Sequence, residues 1–242
     1  MKLDILAIGS HPDDVEMSSG GTLAKNVKLG YKVGIIDLTE GELSTRGTPN
    51  IRSKEAKHAA QILGVHIREN LKLPDGNIEV SQSNILKLVQ VIRNYRPRIL
   101  LIPHSNERHP DHVHTYHLCR EAWYYSGLMK IKTKFNGKKQ EAWRPENYFH
   151  FMQKYEFTPS FIFDISDVYK IRFNAILAHK SQFYNPDSDE PQTIISQKSF
   201  LDLLETRAKF FGNMIGVEYG EPFFTTEPLG ISDFSDLTLF ER

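Results

Sequence analysis

The run Leu3 to Gly9 (LDILAIG) constrains the fold more than any other stretch of the chain. A strand with one face in water alternates apolar and polar side chains. Here Ile5 to Ile8 are apolar without interruption, as in a strand buried on both faces of a parallel sheet. The period then changes to helical spacing over Val15 to Leu29 and back to an apolar, β-branched run over Tyr31 to Leu38, which makes a βαβ unit. Ile51 to Leu63 reads as an Ala-rich helix ended by Gly64, Val80 to Tyr95 as an amphipathic helix, and Arg98 to Ile102 as another buried strand. This alternation predicts an α/β fold, a Rossmann-like and mostly parallel sheet with helices on both faces. The loops at the carboxyl ends of its strands form the binding crevice.

The second half is less regular. Strands are expected near Asn147 to Met152 and Ser160 to Ile165, and helices near Ser166 to Gln182 and Thr193 to Phe211, with no topology assigned. Lys130 to Lys139 is polar, basic and contains Asn136-Gly137, which suits a hairpin turn. There is no repeat or low-complexity linker, so residues 1–242 are read as one domain.

Composition removes several classes of function. Thirty basic and 30 acidic residues leave no global charge to attract nucleic acid or an anionic membrane surface. No apolar run has membrane-spanning length, and the amino terminus lacks the pattern of a secretory signal. A single cysteine, Cys119, cannot form an intramolecular disulfide and fits a reducing compartment, so a cytoplasmic protein is expected.

The chemistry is concentrated in Gly9-Ser10-His11-Pro12-Asp13-Asp14, where the first strand should pass into the first helix. An imidazole and carboxylates at the edge of a parallel sheet can converge on a cation, and His with Asp suits zinc. His11 and Asp14 are then ligands, with Asp13 free to act as a base on water activated by the metal. Alone, the same residues could simply start a turn and cap a helix. The second cluster, Arg108-His109-Pro110-Asp111-His112, shifts the balance, because it follows another buried strand in the equivalent place. Loops after neighbouring parallel strands lie side by side, so His112 can complete a three-ligand site with one position left for water. His109 is then an acid or oxyanion stabiliser, with Asp111 placed to hold its imidazole; the alternative is that Asp111 caps a helix starting near His112. His104, His114 and His117 are given no ligand role.

Together the H-P-D-D and H-P-D-H motifs resemble the LmbE-like (PIG-L) family of zinc-dependent N-acetylglucosamine deacetylases. More narrowly, Leu38-Thr39-Glu40-Gly41-Glu42-Leu43, Thr45-Arg46-Gly47-Thr48-Pro49 and Ile215-Gly216-Val217-Glu218-Tyr219-Gly220-Glu221-Pro222-Phe223 resemble the bacillithiol biosynthesis deacetylases. The resemblance implies an LmbE-like fold and a homo-oligomer, trimer or hexamer. It also implies hydrolysis of N-acetylglucosaminyl malate to acetate and glucosaminyl malate. It places zinc on His11, Asp14 and His112, the base on Asp13, and the transition-state stabiliser on His109 backed by Asp111. Mycothiol relatives have a tyrosine where this chain has Glu107, so tyrosine assistance does not carry over.

Malate brings two carboxylates, for which Arg46, Arg52 and Arg108 are the candidate partners, since a guanidinium can meet a carboxylate through two parallel hydrogen bonds. The cation expected is Zn2+, though a two-histidine, one-carboxylate set also suits Fe2+ or manganese. His179-Lys180-Ser181-Gln182 matches a segment of the resembling family and is read as structural. Two rivals remain: a deacetylase of another amino sugar, such as a chitin fragment or antibiotic precursor, and a non-catalytic sugar- or nucleotide-binding module. The second would want glycine-rich strand-to-helix loops, and Gly20-Gly21 lies too far into the first helix to serve.

Overall fold

The computed structural model describes residues 1–230. Its elements are β1 (Ile5–Gly9), α1 (Asp14–Lys28), β2 (Val33–Thr39), α2 (Pro49–Leu63), β3 (Ile67–Leu73), α3 (Gln82–Tyr95), β4 (Ile99–Pro103) and α4 (Pro110–Ser126) in the first half. A small hairpin, β5 (Lys134–Phe135) and β6 (Lys138–Lys139), precedes β7 (Asn147–Phe151), β8 (Phe161–Asp164), α5 (Tyr169–Leu177), α6 (Lys198–Met214) and β9 (Gly220–Phe224). The hairpin turns on Asn136 and Gly137, with φ 48° and 76°, the left-handed pair that an Asn-Gly turn supplies.

Seven strands form one sheet in the order β3-β2-β1-β4-β7-β9-β8. The first five are mutually parallel, and β9 runs antiparallel to both β7 and β8. The parallel, two-faced reading therefore holds for the strands that build the site. Leu6 and Ile8 of β1 point into a core shared with α3 and α4, whereas Ile5 and Ala7 point into one shared with α1, α2 and α5. Chain order runs outward from β1 in both directions, so the switch point lies between β1 and β4, and a crevice opens there at the carboxyl ends of the strands.

Helix α1 is tied to the far side of the sheet by Glu221 of β9. Its carboxylate accepts from the Gly21 and Thr22 backbone N–H groups at 2.9 and 2.7 Å and from the Thr22 hydroxyl at 2.6 Å. Arg172 of α5 lies 2.9 Å from Glu221 and donates to the Met17 carbonyl of the same helix. Gly21 permits this approach, because a Cβ there would lie 2.8 Å from Ile165, a fully buried side chain. The glycine pair is thus a packing feature.

The sequence reading left two strands out. β3 (IRENLKL) is a polar edge strand, and β9 carries Gly220 and Pro222, which lower strand propensity. The helix expected over Ser166 to Gln182 is a short 3-10 turn followed by α5, and it ends five residues early.

Candidate metal centre

Asp14 opens α1, but it does not cap it. The cap position is Asp13, whose side chain makes no capping bond and whose φ is 125°, a conformation that L-residues rarely adopt. The strained turn directs both carboxylates to the crevice. Asp14 Oδ2 accepts from the His11 N–H at 2.9 Å, and Asp13 Oδ2 lies 3.2 Å from the Arg52 guanidinium. From β4, α4 begins at Pro110 with His109 as its cap, and His112 follows within the first turn.

The two loops meet. His11 Nδ1 lies 3.5 Å from Asp14 Oδ2, and His112 Nε2 lies 3.2 Å from Asp14 Oδ1. One ligand atom from each of His11, Asp14 and His112 falls within 4.8 Å of the others. Zinc bonds of about 2.0–2.2 Å set tetrahedral edges of about 3.3–3.6 Å, and each imidazole lies near that distance from one oxygen of the Asp14 carboxylate, so the chemistry and spacing of this donor set suit a divalent cation. Asp75, after β3, accepts from His11 Nε2 at 3.0 Å, which fixes the proton on that nitrogen and leaves Nδ1 facing Asp14. Gln153, after β7, donates to Asp14 Oδ1 at 2.9 Å. Glu107 lies 3.6 Å from His112 Nδ1 and is itself held by the N–H groups of Lys154, Tyr155 and Arg108.

The electrostatics favour positive charge at this corner. Burial disfavours the charged form of His11, but the carboxylates of Asp111, Asp14 and Asp75 outweigh it and raise its pKa well above the ordinary value. Burial likewise opposes charge on His112, yet Asp14 lifts it to about 9. A proton or a metal ion answers the same field. Asp13 is pushed up to about 6 by burial, against the opposing pull of Arg52.

A cavity of about 280 Å³ exposes this centre and is bordered by His11, Asp13, Asp14, His109, His112 and Arg108. The structure therefore brings together all five of the expected ligand, base and stabiliser side chains that face the crevice. Asp111 behaves differently from expectation. Its carboxylate accepts from the Gly76 and Ile78 N–H groups at 2.7 and 3.5 Å and faces His11 at 3.4 Å, so it supports a ligand rather than orienting His109. His109 Nδ1 instead accepts from the Asp111 N–H at 3.2 Å, which leaves Nε2 as the position for a proton. His11, His109 and Asp111 also have ligand atoms within 4.8 Å of one another, but the carboxylate of that group is already engaged.

Two of the three candidate substrate arginines are engaged by the chain itself, although Arg52 also borders the cavity. Arg52 is 4% exposed and donates to the Gly41 and Pro12 carbonyls and to Asp13, so it holds the Asp13 carboxylate in place. It passes so close to Gly41, at φ 67°, that a Cβ there would lie 1.7 Å from its nitrogen. Arg46 is also buried and fastens the 181–191 segment through Ser181, Ser188 and Pro191. Only Arg108 is exposed at the cavity mouth. Sequence reasoning missed Asp75 and Gln153 and noted Glu107 only as a departure. The Pro74-Asp75-Gly76 turn was the one available signal, and it depends on recognising β3.

A two-histidine, one-carboxylate set at the switch point of a mostly parallel sheet defines the class: an α/β protein with a candidate metal centre. Residues 6–123 match the PIG-L family, described as GlcNAc-PI de-N-acetylase. Diacetylchitobiose deacetylase of Thermococcus kodakarensis is 30% identical over 229 residues, covering 90% of this chain and 80% of its own. A conserved protein from Thermus thermophilus superposes with a TM-score of 0.85 at 36% identity, covering 95% of this chain and 97% of its own. A probable N-acetyl-alpha-D-glucosaminyl L-malate deacetylase 2 of Bacillus cereus is 27% identical over 125 residues, 46% of this chain and 57% of its own. The chain belongs to the PIG-L (LmbE-like) deacetylase family.

Proposed function

We propose that this protein is a zinc-dependent N-deacetylase of an acetamido sugar, with N-acetylglucosaminyl malate as its substrate. One observation carries the reading: three ligand atoms set for a divalent cation share a cavity with a carboxylate, Asp13, that is engaged by Arg52 but belongs to none of the ligands. When bound, the metal supplies Lewis acidity, which polarises an amide carbonyl and makes water a stronger acid.

The chain's own groups do the rest. Asp13 takes a proton from the attacking water as its oxygen bonds to the acetamide carbon. Arg52 holds that carboxylate in place, and His109 donates from Nε2 to the oxygen that gains negative charge. The carbon–nitrogen bond then breaks, acetate leaves, and the sugar amine takes up the proton carried by Asp13. Malate is supported by the motif resemblance and by Arg108 at the mouth; the chitobiose relative supports a chitin fragment equally. Acetate release from N-acetylglucosaminyl malate and from diacetylchitobiose separates the two. A clear preference for the malate conjugate is expected, and turnover of diacetylchitobiose alone would replace it with the chitin-fragment reading.

Cytoplasmic placement belongs to the same proposal, supported by the buried, free Cys119. No described helix is long and apolar enough to cross a membrane.

A further inference from the structure

A second chamber of about 240 Å³ adjoins the metal corner and shares Met17, Arg108, His112 and Ile195 with the first cavity. The two differ in charge. The first is bordered by Asp13, Asp14 and Asp75 against Arg52 and the shared Arg108, whereas the second is bordered by Arg108, Lys154 and Arg207, with Glu156 as its acid. Phe200 and Leu203 of α6 and the preceding Ile194 form an apolar wall.

Arg207 is the group that needs explaining. Its guanidinium donates to the Gln153 carbonyl, and among the described residues no carboxylate lies within ion-pair distance of it. Glu221, Glu107 and Glu156 act on it through space, but Glu221 is occupied by Gly21, Thr22 and Arg172, and Glu107 by the N–H groups of Arg108, Lys154 and Tyr155. Arg207 is half-buried, and a guanidinium bonded only to one neutral carbonyl keeps donors free for an anion in the chamber. Burial accordingly pushes Arg207 down to about 10, and neighbouring Arg172 adds to the effect. Gln153 also joins the two chambers, since its side-chain amide donates to Asp14 while its carbonyl holds Arg207.

We propose that this chamber is the subsite for a carboxylate-bearing aglycone, read by Arg207 together with Arg108 while the acetamide lies at the His11–Asp14–His112 corner. The inference rests on the deacetylase reading above and extends it to a specificity residue on α6. Arginine meets a carboxylate with a planar fork, and an apolar wall that excludes water strengthens the pair. A neutral sugar gains nothing from these cations.

The test uses the zinc-loaded 242-residue chain and the variants Arg207→Met, Arg207→Lys and Lys154→Met. Acetate release is measured on N-acetylglucosaminyl malate and on diacetylchitobiose, and calorimetry follows binding of glucosaminyl malate and of glucosamine. Arg207→Met should raise KM for the malate conjugate at least about tenfold with little change in kcat, weaken glucosaminyl malate to the same degree, and leave the neutral compounds within about twofold. Arg207→Lys should recover part of the loss. Should Arg207→Met fail to fold, the exposed Lys154→Met should still weaken the anionic ligand about threefold and the neutral one not at all. Equal losses on charged and neutral ligands, or no loss on either, would overturn the subsite. If wild type releases acetate from neither substrate, the deacetylase reading fails, and calorimetry alone decides the subsite by the same criterion.

Discussion

At the scale of single residues, the separate tasks proposed for two carboxylates side by side in sequence rest on their different surroundings. Asp14 lies between two imidazoles and a glutamine amide, where a carboxylate stays ionised, and Asp13 is buried against one guanidinium. Asp13→Ala is therefore expected to retain zinc by elemental analysis while acetate release falls by about 10²–10⁴, the usual range for loss of a general base. Loss of zinc along with activity would make Asp13 a ligand instead. His150 offers a pH prediction away from the centre. Burial lowers its pKa to about 4, although the Pro103 carbonyl accepts from Nδ1 at 2.8 Å and opposes the shift. The unfolded chain takes up this proton near pH 6.5, before the folded one does, so stability is full above about 6.5 and declines as pH falls toward about 4, by up to about 3 kcal/mol. His150→Gln should flatten that part of a urea-unfolding pH profile; an unchanged slope would assign the loss to other groups.

At the scale of elements, legibility followed local pattern. β1, α1 and β2 were readable because the period switches cleanly, and the H-P-D-D and H-P-D-H loops because each packs several functional residues into a few positions. Asp75 and Gln153 were not, since each is a lone polar residue whose place depends on where β3 and β7 join the sheet. The arginines show the converse limit: a guanidinium in sequence gives no sign of its partner, and Arg46 and Arg52 meet backbone carbonyls far along the chain. The tie between β9 and α1 was also invisible, although Glu221 lies in a quoted motif. Glu221→Ala would leave two helix N–H groups without their acceptor and buried Arg172 without its counter-ion, and a loss of about 3–5 kcal/mol is expected in urea unfolding. A change within about 0.5 kcal/mol would show that α1 is held by its apolar face alone.

At the scale of the whole molecule, the topology does what neither loop can do alone, because the outward winding from β1 sets the carboxyl ends of β1 and β4 beside each other. We also propose a homo-oligomer, on the motif resemblance, and light scattering should give three or six times the 27.9 kDa chain mass; a single-chain mass would refute it. Within each chain, we propose that one metal is gripped from both loops at once. Equilibrium dialysis against zinc, with wild type, His11→Ala and His112→Ala compared at matched protein concentration, measures it directly. One tightly held equivalent per chain is expected for wild type, and its loss from each variant. Undiminished stoichiometry and affinity in either variant would contradict the shared centre.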